Sequence, residues 1–204
     1  AKLLSHMRRS PEFGIREATA SFDLAEIMDR VQRVIKRIEP HDSVERYTSL
    51  GVEVIEGSAK LVSPWEVDVV RHSGESERLS ARSIVIATGA RPFVPPIPGI
   101  EDVGYLTSDN VWELRELPKR LVVLGGGPIG SELTQAFARF GARVTQVEML
   151  PRLLMREDPE VSERVIQRFR AEGIDVRVDH TAKKFLVESG EKILIAEHQG
   201  QEVR

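Results

Sequence analysis

Cysteine is absent from this sequence. That excludes a disulfide framework, a thiolate metal site and a cysteine nucleophile within these residues. Long hydrophobic runs are missing too. The uncharged stretch Leu121 to Ser131 is eleven residues and rich in glycine, far short of the roughly 20 apolar residues that a membrane-spanning helix needs. Ala1 to Arg9 holds no long apolar core followed by a small-residue cleavage site, so it does not read as a signal peptide and the expected setting is cytoplasmic. Charge of one sign is not in excess either: 29 Lys plus Arg against 32 Asp plus Glu leave a net charge of −3. No concentrated basic surface follows, so neither nucleic acid nor a membrane is an expected partner. Small anionic cofactors stay open, because backbone amides bind phosphate without net positive charge.

What is present fits a globular chain of one to two domains, with 41% hydrophobic and 30% charged residues over 204 positions. His6, His41, His72, His180 and His198 stand beside no nucleophile and in no metal-ligand spacing, so each reads as structural or solvated and no metal is expected. No Ser-His-Asp set or carboxylate pair stands out, which leaves hydrolytic chemistry unsupported.

Periodicity organises the first half. Ile27, Val31, Val34, Ile35 and Ile38 recur at helical spacing and predict one face of a helix that Pro40 ends. Arg30, Arg33, Lys36 and Arg37 occupy the other face, either as a strip for a polyanion or, as is ordinary, as a solvated surface. From Val52 the pattern turns to short β-branched runs, Val52–Ile55, Ala59–Val62, Trp65–Val70 and Leu79–Ile86, punctuated by Gly57, Ser63-Pro64 and Ser73-Gly74. This predicts an antiparallel meander leading into a buried strand, Ile84 to Ala87. Arg91 to Ile100 then carries four of the eleven prolines, a stiff extended connection suited to a domain boundary.

Beyond it the periods alternate as a parallel sheet with crossover helices requires. Leu121–Leu124 is a strand. Ile129, Leu133, Ala136, Phe137 and Phe140 form a helical stripe closed by Gly141, and Arg143–Val147 is the next strand. Asp158 is placed to cap a helix with Pro159 in its first turn and Val161, Val165, Ile166 and Phe169 on its buried side. Ile174–Val178 follows as a third strand, and Phe185–Glu188 pairs with Ile193–Glu197 as a hairpin around Ser189-Gly190.

The chemistry-bearing motif lies at the first of these strand-to-helix turns. Gly125-Gly126-Gly127-Pro128-Ile129-Gly130 contains G-x-G-x-x-G directly after a strand and opening a helix. Gly125 permits the tight turn, Gly127 lets backbone approach a pyrophosphate, and Gly130 lets helix and strand pack closely. Pro128 suits a first turn whose amides have no intrahelical acceptor. Glu148 stands 148 − 125 = 23 residues on, where the Rossmann-type fold needs an acid for the ribose hydroxyls. A carboxylate there repels the extra phosphate of NADP(H), so NAD(H) is the expected dinucleotide, although Arg152 lies near enough in sequence to pair with such a phosphate.

These residues resemble the pyridine nucleotide-disulfide oxidoreductases, FAD-dependent enzymes that include mercuric reductase-like and dihydrolipoamide dehydrogenase-like members. The resemblance rests on Ile84-Val85-Ile86-Ala87-Thr88-Gly89-Ala90-Arg91-Pro92, Pro95-Pro96-Ile97-Pro98-Gly99 and Val122 to Glu132, with Arg156-Glu157-Asp158-Pro159 and Phe169 to Ile174 favouring mercuric reductase. It implies an α/β chain with a partial FAD-binding domain over 1–92 (helix, then β-meander), a connection over 93–118, and an incomplete Rossmann-type NAD(H)-binding domain over 119–204. It further implies that Thr88, Gly89 and the backbone around Ala59 lie beside FAD, and that Glu132 lies near the nicotinamide and flavin rings.

The family's C-x-x-x-x-C pair, its first FAD phosphate loop and a dimerisation domain with a catalytic histidine have no counterpart here, and Ala1 to Ser5 resembles the segment that follows the cysteines. The chain is therefore expected to be an internal fragment, inactive alone, of a homodimeric enzyme passing hydride from NADH to FAD and on to a dithiol centre. The alternatives are a dihydrolipoamide dehydrogenase-like enzyme and a non-catalytic NAD-binding protein.

Overall fold

The computed structural model describes residues 1–204, which fall into two compact units, Arg30–Arg91 on the one hand and Ala1–Asp29 with Pro92–Arg204 on the other. In the larger unit, helix α1 (Lys2–Arg8) opens the chain and helix α2 (Leu24–Ile38) begins in it before running into the smaller unit. No helix is long and apolar enough to cross a membrane.

The smaller unit contains helix α3 (Val44–Ser49) and an antiparallel meander of β1 (Gly57–Ser63), β2 (Glu66–Arg71) and β3 (Ser76–Ser80). Ser43 caps α3 by accepting from the Arg46 amide. Asp68 and Arg78 face each other across β2 and β3 and form a bidentate ion pair. The first two strands of the meander are as expected, but the third is Ser76–Ser80 and not the predicted Leu79–Ile86, and the flanking runs differ too. Val52–Ile55 forms no strand, and Ile84–Ala87 is not a buried strand: Val85 is 87% and Ile86 68% exposed. Strand geometry needs a neighbour for its backbone groups, and this unit offers none beside that run. The apolar stripe of α2 is helical as predicted, yet only Leu24 and Met28 on this helix are buried.

In the larger unit, α4 (Ile100–Val103) follows the proline-rich connection. The parallel sheet β4 (Arg120–Leu124), β5 (Arg143–Val147) and β6 (Asp175–Arg177) has that spatial order, with α5 (Pro128–Phe140) and α6 (Pro159–Ala171) as the two crossovers. Consecutive right-handed crossovers moving in one direction place both helices on one face. Accordingly Ala138 of α5 packs against the cluster of Leu153, Ile166, Phe169, Ile174 and Val176. In register, Val123 lies beside Gln146 and Gln146 beside Val176, so these three share that face.

Two details of the crossovers depart from the sequence expectation. The buried side of α5 is Ser131, Thr134 and Phe137, while Ile129 is 61% exposed. A helix that starts at a glycine turn lies too close to the sheet for large side chains in its first two turns, so small residues face inward. Asp158 is the residue before α6 but makes no side-chain cap, and Val161 is exposed. The last sheet is β7 (Thr181–Glu188), β8 (Glu191–His198) and β9 (Gln201–Val203), one strand more than the predicted hairpin.

Helix α1 packs on α5, next to an ionic knot. Glu172 accepts from Arg139 at 2.8 and 2.9 Å and from Arg168 at 2.6 Å. Burial alone would push its carboxyl up, but these two guanidinium partners outweigh burial and hold it below the usual range. A carboxylate lowered in the folded state adds stability that is fully present above its ordinary pKa and is lost as pH falls through the lowered one. Glu172→Gln should therefore destabilise by about 1–2 kcal/mol at neutral pH, with the gap to the unsubstituted chain closing in acid. Thermal melts at pH 7 and pH 3 check this, and a gap independent of pH would refute it.

Candidate functional site

The end of β4 turns sharply at Gly125, whose φ of +104° favours glycine. The Gly125 amide still donates to Val147 O at 2.8 Å, which keeps the turn tied to β5. Its carbonyl accepts from Gln146 Nε2 at 3.0 Å. One residue on, the Gly126 amide donates to the Glu148 carboxylate at 2.5 Å, and its carbonyl accepts from the Leu154 amide at 2.7 Å. The first α5 turn closes with the Ser131 amide donating to Gly127 O at 2.9 Å.

Three amides, those of Gly127, Ile129 and Gly130, are left without an acceptor in the chain, and α5 has no side-chain cap. They stand at the positive end of a thirteen-residue helix, where unpaired N–H groups favour an anion. Space is open where a Cβ on Gly127 would stand, so a ligand can reach its backbone. Gly126 and Gly130 are glycine for another reason. A Cβ on Gly126 would stand 2.7 Å from Leu153 Cδ2, and one on Gly130 2.5 Å from Gly125 O.

Glu148 follows directly on β5. It is half-buried, and its other carboxylate oxygen accepts from the Leu150 amide at 2.7 Å. The side chain is thus held at the mouth of the glycine turn by two backbone donors. A donor set of open helix amides next to a fixed acceptor suits a diphosphate with an adjoining sugar. Arg152 points elsewhere, donating to Glu157 O at 2.7 Å and Met155 O at 3.1 Å.

Gly125, Gly126, Gly127, Pro128, Ile129, Gly130 and Glu148 come together. Glu132 sits further along α5 and is exposed. Ala59 on β1, with Thr88 and Gly89, belongs to the other compact unit, and all three are exposed with nothing closed around them. These three residues by themselves do not enclose a flavin. Sequence reasoning missed Gln146, Ser131 and the Leu150–Leu154 backbone. The signal for Gln146 was available: in Val144-Thr145-Gln146-Val147-Glu148 it shares the face of buried Val144, an unusual place for an amide. His180 and His198 stack with ring centroids 4.2 Å apart, their Nδ1 atoms on Val178 O and Asp179 O, which ties the end of β6 to β8.

Comparison with known proteins identifies related chains. Mercuric reductase of Staphylococcus aureus is 30% identical over 195 residues, covering 96% of this chain and 35% of its own length. Dihydrolipoyl dehydrogenase of Chlorobaculum parvum is 37% identical over 186 residues, covering 90% of this chain and 38% of its own length. The chain thus spans about a third of the length of these curated relatives. Among solved structures, the Cu(II) complex of the HOCl-induced flavoprotein disulfide reductase RclA from Escherichia coli superimposes with a TM-score of 0.69 at 26% identity, covering 89% of this chain and 40% of that one. LpdA of Mycobacterium tuberculosis, at 24% identity and a TM-score of 0.77 over 99% of this chain and 44% of its own, shares the fold. Residues 6–204 match the family described as Pyridine nucleotide-disulphide oxidoreductase, and with the glycine turn, parallel sheet and placed acid already in view, this chain belongs to that family.

Proposed function

We propose that this chain forms the NADH-binding part of a mercuric reductase-like, FAD-dependent oxidoreductase. The observation that carries this reading is the set of three open amides at Gly127, Ile129 and Gly130 beside a Glu148 carboxylate already fixed by two backbone donors. When bound, the dinucleotide supplies a hydride, which in the whole protein would pass to FAD and then, as an electron pair, to a disulfide/dithiol centre. This chain's residues bind and orient: the amides hold the diphosphate and Glu148 accepts from the ribose hydroxyls. Glu132 would face the nicotinamide and flavin rings, and Ala59, Thr88 and Gly89 would approach the flavin. The whole protein would be a homodimer, as the resemblance implies.

NADH is favoured over NADPH on two grounds. Glu148 repels a 2′-phosphate, and the Arg152 guanidinium is already spent on two carbonyls of its own loop. A dihydrolipoyl dehydrogenase-like enzyme is the second reading, supported by the 37% identity to the relative from Chlorobaculum parvum. Fluorescence titration with both nucleotides tests the site. The chain should bind NADH at least tenfold more tightly than NADPH, a gap of about 1.4 kcal/mol, and Glu148→Arg should shrink that gap to threefold or less. Equal affinity of the unsubstituted chain for the two nucleotides would overturn the preference.

A further inference from the structure

Gln146 is a fully buried amide. Its Nε2 donates to Gly125 O at 3.0 Å and to Ser131 Oγ at 3.2 Å, while its Oε1 has no partner at all. An orphaned buried carbonyl is costly, and a leucine or methionine of similar volume would fill the same place without it. The amide is therefore not what packing between β5 and α5 asks for. Its use is seen in what it touches. Gly125 C=O and Gly126 N–H belong to a single peptide plane, and β5 with the residue that follows it holds both ends: Gln146 grips the oxygen and Glu148 the N–H. Flanked by two glycines, that plane has almost no steric preference of its own.

We propose that Gln146 is a positioning residue for the nucleotide, acting with Glu148 as a clamp on the Gly125–Gly126 peptide so that the next amides of the turn face the diphosphate. This deepens the nucleotide-site reading and rests on it. Loss of the Gln146 grip frees the Gly125 carbonyl, which is on an exposed residue, to turn toward water and rotate the peptide. Binding then has to select the competent orientation from a mixture, which weakens affinity in proportion to its population.

The test compares the 204-residue chain with Gln146→Leu and Gln146→Met, using ADP-ribose and adenosine as ligands and thermal melting as the control. In both variants the affinity for ADP-ribose, which carries the diphosphate, should fall about tenfold. Adenosine, whose sugar meets Glu148 but which lacks the diphosphate, should change less than twofold. The melting temperature should hold or rise, since the orphaned Oε1 is gone. A purely structural role would instead lower the melting temperature and weaken both ligands together, and that result overturns the proposal, as does ADP-ribose affinity within twofold of the original. If neither variant folds, the claim that folding does not need the amide is wrong and the proposal falls. If the unsubstituted chain fails to bind ADP-ribose, it is the underlying site reading that fails.

Discussion

Gly130→Ala should reduce affinity for NADH about 30-fold, roughly 2 kcal/mol of binding energy, while the far-ultraviolet circular dichroism of the chain stays that of the folded protein. The added methyl carbon would stand 2.5 Å from Gly125 O and 3.4 Å from Gly125 C. Those are backbone atoms, so no rotamer change relieves the clash. Either α5 lifts from the sheet or the Gly125 turn moves, and both displace the open amides of Gly127, Ile129 and Gly130 from one another. A shift near 1 Å is enough to spoil several short hydrogen bonds to one diphosphate, since such bonds weaken steeply outside their narrow distance range. The buried side of α5 cannot absorb the change, because Ser131 and Thr134 are already fully packed there. Titration of fluorescence on NADH addition reads the effect, and an affinity within threefold of the original would mean that the turn is not where the diphosphate binds.

The largest expected loss of stability comes from Gly99→Ala, at about 2–4 kcal/mol, or a fall in melting temperature of roughly 6–12 °C for a chain of this size. Two costs add. Gly99 has φ of +79°, a region that L side chains avoid. A Cβ there would also stand 2.2 Å from Phe185 O. The close approach exists because the Phe185 amide donates to Pro98 O at 2.7 Å, seating the proline-rich connection and α4 against β7. Alanine must break that seat or distort it. Differential scanning calorimetry checks the prediction, and a melting temperature within 2 °C of the original would show that the contact yields cheaply. Gly104→Ala is the matched control. Gly104 also has positive φ, at +61°, but open space where a Cβ would stand, so only the conformational part of the cost should appear.

The regular elements from Leu121 onward were legible because their signals are local. A strand, a glycine turn with proline in the first helical turn, a helix and a second strand ending in an acid follow one another within 28 residues. Each step is dictated by neighbours in sequence. The meander between Gly57 and Ser80 was legible for the same reason, its turns being marked by Ser63-Pro64 and Ser73-Gly74. Legibility failed where burial was inferred from hydrophobicity alone. Ile84 to Ala87 has strand composition but no strand beside it. The stripe from Ile129 to Phe140 named a helix correctly and its Phe137 is buried, but Ser131 and Thr134 complete the inward side while Ile129 is exposed, since close packing of α5 on the sheet selects small side chains over large ones.

By itself the sequence determined the order of elements after the proline-rich connection, the place of the glycine turn and the distance from it to Glu148, because periodicity and glycine conformational freedom act over a few residues. Only the tertiary structure decided that Gln146 and Glu148 grip opposite ends of one peptide plane, that Arg152 is occupied by its own loop, and that Gly126 and Gly130 are closed in by Leu153 and Gly125. The two grips on the peptide plane join residues about twenty positions apart, across neighbouring parallel strands. Their existence depends on strand register and helix depth, which follow from packing and not from any pattern along the chain.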